Sequence, residues 1–188
     1  MKVLFAGFVG GLLVFVWSAV SHTLLPLGRM GLSAMTDAGK EQALLTDMKT
    51  QLGESGLYLL PSVGMNGSSE AEQDAFAARV KAGPTGFVVF HLDGAELSGK
   101  HVGLEFLSNV LAALIAAFIV SRMRDSMFLT RTFVVALLGV FGWLSIEASN
   151  WILYRFPDPY VLAQAIDQTA GWAIAGVAIA VMIGGKES

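Results

Sequence analysis

His101, Glu105 and Asn109 recur at four-residue intervals, so a helix stacks an imidazole, a carboxyl and an amide on one face. Glu147 and Asn150 form a second polar set inside the stretch WLSIEASNW, with Trp143 and Tyr154 on roughly the same stripe. Gln164, Asp167 and Gln168 make a third, and Ser18, Ser21 and His22 a fourth. Imidazoles and carboxyls drawn from several helices suit zinc, iron or copper. His101 and Glu105, one turn apart, are the natural two-ligand unit of such a metal site. His22 completes the metal set, and Glu147 and Asp167 approach from other helices. Neither Glu-x-x-His nor His-Glu-x-x-His occurs, so the residues point to a divalent metal ion without specifying which.

The same residues support two other readings. Trp17, Trp143, Trp151, Tyr154 and Trp172 offer aromatic walls, and Asn150, Asp167 and Gln168 offer the few polar handles that orient a quinone- or lipid-like molecule. In a catalytic version of that pocket, Glu147 is the general acid/base. Ser18, Ser21 and His22 are a poor triad signature, and His91 reads as a surface or packed histidine. Alternatively the groups bond to one another across helices, each bond contributing about 0.6–2 kcal/mol.

The elements that must position these residues are apolar and long. Of 188 residues, 54% are hydrophobic and only 14% charged, with a mean hydropathy of +0.62; soluble domains average about 25% charged. A net charge of −3 leaves no basic footprint for nucleic acid. The chain has no cysteine, which excludes disulfides, thiolate metal sites and a cysteine nucleophile. Four stretches approach the roughly 20 residues that span a bilayer: 3–25, 102–120, 132–154 and 160–183. Ala19-Val20-Ser21 resembles a signal cleavage site, but the preceding run exceeds the usual 7–15 apolar residues, so we read it as a retained helix.

Arg122, Arg124 and Arg131 lie in the link between the second and third spans, and Lys2 and Lys186 flank the ends. Four spans put all five on one side, which the positive-inside rule makes cytoplasmic. The expected location is the bacterial inner membrane, with both termini inside and residues 27–100 outside. Trp17, Trp151, Tyr154 and Tyr160 then fall at the outer interface, although Arg29 and Lys100 also lie on that side.

Residues 27–100 carry their own pattern. Thr36 is placed to cap a helix over 37–52, Gly53 ends it, and GLYLLP (56–61) reads as a strand. NGSS (66–69) reads as a turn. Ser69 and Glu72 form a capping box opening a helix to Ala82, Gly83 ends that one, and GFVVFHL (86–92) reads as a second strand. The glycine pairs follow helices and precede strands, so they are C-caps and not phosphate loops. The small core of this segment should rest on the membrane helices or on a partner.

The predicted fold is an all-α membrane bundle of four transmembrane helices. A small α+β extracytoplasmic domain is inserted between helices 1 and 2. Its parts are helix 1 (1–26), the inserted domain (27–100) and helices 2–4 (101–188). Alternating direction brings all four polar sets to one depth in the outer half, while the inner halves are almost purely apolar. Gly7-x-x-x-Gly11, Gly171-x-x-x-Ala175 and Gly176-x-x-x-Ala180-x-x-x-Gly184 read as close-packing faces. The apolar inner halves leave no polar path for a channel or transporter. The expectation is a structural or accessory subunit whose partners are the bilayer, other membrane proteins or a second copy. The alternative is binding, with or without catalysis, at His22, His101, Glu105, Glu147 and Asp167.

Overall fold

The computed structural model describes residues 1–62, 69–123 and 126–184. Most of the NGSS turn, Arg124 and Lys186 therefore lie outside the described residues. Six helices and two strands follow in the order α1 (Lys2–Thr23), α2 (Ala38–Leu52), β1 (Gly56–Leu60), α3 (Glu70–Ala82), β2 (Gly86–Phe90), α4 (Gly99–Ser121), α5 (Phe128–Tyr154) and α6 (Asp158–Ile183). A short 3-10 turn, Pro26–Arg29, follows α1. Helices α1, α4, α5 and α6 are each long and apolar enough to cross a membrane. The chain divides into two compact units, one made of residues 33–96 and the other of the remainder.

In the helical unit α1 lies between α4 and α6, and α6 lies between α1 and α5. The contact of α4 with α5 is slight, so the four helices are centred on the α1–α6 pair. Glycines set the spacing. A Cβ on Gly7 would stand 2.8 Å from the Leu114 Cα, and one on Gly11 would stand 2.4 Å from the Val110 Cα. Real side chains do not tolerate such distances, so these glycines bring the α1 and α4 backbones together. Gly139 does the same for α5 against α6, where a Cβ would meet the Gln168 carbonyl at 2.6 Å. Gly176 faces α5 in turn, with the Thr132 carbonyl 2.8 Å away. The buried core lies toward the start of α1 and the end of α6, built from Ala6, Val14, Ala116, Ala117, Val120, Val135, Ala175 and Ile179. Arg131, in the first turn of α5, reaches the end of α6 near Gly184, so the α4–α5 link and the end of α6 share one end of the unit.

The other unit is an antiparallel strand pair with a helix before each strand. Gly56 pairs with Phe90 and Leu60 with Gly86. Both helices end where glycine takes a positive φ, +72° at Gly53 and +66° at Gly83, a conformation that disfavours other residues. The first helix starts one residue later than expected: Asp37, not Thr36, is its cap, accepting from the backbone N–H of Gly39 at 2.9 Å and Lys40 at 3.1 Å. A carboxylate satisfies these free donors and also complements the positive helix end. Ser69 and Glu72 form the expected capping box, with the Ser69 N–H donating to the Glu72 carboxylate at 2.7 Å. Neither α2 nor α3 buries a residue. Tyr58 gives the unit its small centre. Its ring meets Phe90 edge-on, and its hydroxyl donates to the Leu52 and Glu54 carbonyls.

Two predictions follow from this packing. Gly11→Leu should cost about 1–3 kcal/mol in equilibrium unfolding in detergent, whereas Gly103→Ala, at a position open to space, should change little. The bonds from Ser69 hold the Glu72 carboxyl below the ordinary glutamate range. The cap is therefore complete above that range and is lost as the pH falls through the lowered value. A carbon-detected NMR titration should find Glu72 titrating below the ordinary glutamate value, and Ser69→Ala should narrow the difference without removing it, because the backbone N–H at that position still donates.

Candidate functional site

The polar ends of α1, α4 and α6 meet around Asp167. Trp17, near the end of α1, lies across Gly171 of α6, where a Cβ would come 2.9 Å from the indole. That bare position lets the ring lie flat enough for Nε1 to donate to the Asp167 carbonyl at 3.1 Å. From the other side, Trp143 of α5 donates to the Val161 carbonyl at 3.0 Å. Trp172 donates to Gln168 Oε1 at 3.2 Å, and Trp151 to Asp158 Oδ1 at 2.8 Å. All four tryptophans of the chain thus donate to acceptors on α6.

Between α1, α4 and α6 a cavity of about 30 Å³ is lined by Val14, Trp17, Ser18, Glu105, Asn109, Asp167, Gln168, Gly171 and Trp172. It admits about one water-sized occupant. Asp167 is 7% exposed, and its Oδ1 is enclosed without a hydrogen-bond partner. Glu105 is exposed and accepts from Asn109 Nδ2 at 3.1 Å, one turn along α4. Larger hollows of about 580 and 520 Å³ are open depressions elsewhere, at the α5–α6 turn around Arg155 and on α5 around Phe133.

Asp167 and Gln168 thus come together with Glu105. Glu147 does not line the cavity. It is half-buried on α5 with Oε2 enclosed and unpartnered, in electrostatic reach of the Tyr160 phenol. Asn150 is half-buried three residues further on. Trp143 serves as a bond between α5 and α6 and does not line the cavity either.

The metal set is dispersed among local bonds. His101 Nδ1 accepts from the Ser98 N–H at 3.3 Å and lies 2.9 Å from Ser98 Oγ, closing the cap of its own helix. His22 Nδ1 donates to the Ser18 carbonyl at 3.0 Å and lies 2.9 Å from Ser21 Oγ. Glu105 is engaged by Asn109. Among the described residues no three His, Cys, Asp or Glu side chains are grouped to hold a metal ion. The physical reason is short range: a helix end offers free backbone groups and hydroxyls that a nearby imidazole satisfies within one turn.

Sequence reasoning read Trp17 as an aromatic wall and Gly171 as a packing residue. It missed that the two form one device, because a glycine near an aspartate on α6 does not reveal which helix brings a ring onto it. Comparisons with protein-family models, curated proteins and solved structures returned no match.

Trp17→Phe keeps most of the ring and removes the donor. It should lower unfolding stability in detergent by about 0.5–1.5 kcal/mol, and Gly171→Val, which displaces the ring, should cost more. Equal stability of Trp17→Phe and wild type would leave the indole bond without energetic weight.

Proposed function

We propose that this chain is a structural or accessory subunit of a bacterial inner-membrane assembly, with its polar cluster acting to hold helices together. The observation that carries this reading is how the cluster is used. The indole donors are spent on α6, Asn109 on Glu105, and the space among them is about 30 Å³. Sites for organic ligands run to about 300–1,000 Å³, so a quinone- or lipid-sized molecule has no room there.

The outer helices supply surface for a partner. Leu104, Leu107, Leu111, Ile115 and Phe118 form an exposed stripe along α4, and Phe133, Leu137, Phe141 and Leu144 another along α5. Their three- and four-residue spacing is that of a helix-packing seam. Lipid tails cover such stripes without specificity, whereas a helix of another protein or a second copy fits them by shape. By the positive-inside rule the arginines of the α4–α5 link favour cytoplasmic termini, and with them an external location for residues 33–96.

Photo-crosslinking residues introduced at Leu111 and Leu137 should yield discrete protein adducts in intact membranes, and one at buried Val135 should not. Adducts with lipid alone at every exposed position would sink the subunit reading. The absence of native cysteine makes topology directly testable. An impermeant maleimide should label Thr46→Cys in spheroplasts and Met127→Cys only after permeabilisation; the reverse pattern would invert the orientation.

A further inference from the structure

Asp167 lies nine residues into α6, roughly 13 Å along its axis at 1.5 Å per residue. An ionised carboxyl at that depth in a membrane helix is costly unless something neutralises it. Among the described residues no Lys, Arg or His forms an ion pair with Asp167. Its Oδ1 is enclosed and has no hydrogen-bond donor, on a side chain more than nine-tenths buried that lines the cavity. Three donors that line the cavity are committed elsewhere: Trp17 to the Asp167 carbonyl, Trp172 to Gln168 Oε1 and Asn109 to Glu105 Oε1.

We propose that the cavity between α1, α4 and α6 binds a single sodium ion, with the Asp167 carboxylate as its buried charged ligand and Glu105 on its exposed side. The donor chemistry selects the class of ion. Ser18, Glu105, Asn109, Asp167 and Gln168 bring hydroxyl, carboxyl and amide oxygen, with no imidazole or thiol. Oxygen ligands suit hard cations and not zinc or copper. The volume selects within that class. Magnesium keeps several of its waters, for which a cavity the size of one water has no room, and the single buried carboxylate balances one positive charge and not calcium's two. A bare sodium ion, smaller than a water molecule, fits and cancels one buried negative charge. This inference is independent of the subunit reading, because a sodium ion joining three helices is compatible with any partner or with none.

The test uses the full chain in nanodiscs, unfolded by heat while sodium chloride replaces choline chloride at constant ionic strength. Wild type should gain stability with a saturating sodium dependence, Tm rising by about 5–10 °C at a hundredfold excess over Kd. Asp167→Asn should abolish the sodium-dependent part. If that variant does not fold, Ser18→Ala should fold and shift the sodium midpoint upward. An identical response to sodium and choline overturns the proposal, as does a sodium response retained in Asp167→Asn. A wild-type Tm that follows pH but not sodium also overturns it, since Asp167 is then satisfied by a proton.

Discussion

The helical unit depends on Trp17 lying across Gly171. Apolar faces gain little by meeting one another in lipid, because the tails they displace are equally apolar. Association must come from close backbone approach and from bonds between helices. The Trp17–Gly171 contact supplies both at one point, since the missing side chain lets the indole descend until its N–H reaches the Asp167 carbonyl. With α1 held to α6, the Gly7–Gly11 face of α1 is left to receive α4, and the Gly139–Gly176 approach joins α5 to the far side of α6.

The same contact divides the unit into two kinds of interior. Toward the start of α1 and the end of α6, small residues and Ile179 close the space with hydrocarbon. Toward the opposite ends, indoles and amides bond to α6 and leave a cavity with one unanswered carboxyl oxygen. The result is an end packed with hydrocarbon and a polar end that accommodates at most a very small occupant.

Local bonds decided the fate of several residues that spacing had grouped. His101 and Glu105 are one turn apart on α4, as a two-ligand unit requires. Yet the imidazole closes the helix cap through Ser98, and the carboxyl takes a bond from Asn109. His22 is likewise held by the Ser18 carbonyl. Periodicity identifies which side chains share a face and is silent on which nearby group satisfies each one first. The one-residue displacement of the α2 cap from Thr36 to Asp37 has the same origin, as two adjacent acceptors compete for the same free N–H groups.

Local physics made much of this molecule legible in the chain. Apolar run length marked the four membrane-length helices to within a few residues. Glycine and serine placement marked the ends of α2 and α3, because caps and left-handed turns are satisfied by the residues themselves. The concentration of polar residues at one end followed from chain direction alone. What tertiary structure decided was partnership. The order α4–α1–α6–α5, the separation of Glu147 from the cavity and the meeting of Glu105 with Asp167 depend on helix rotation and on which glycine receives which ring. Those choices are made by contacts between residues as much as 150 positions apart, and no local pattern encodes them.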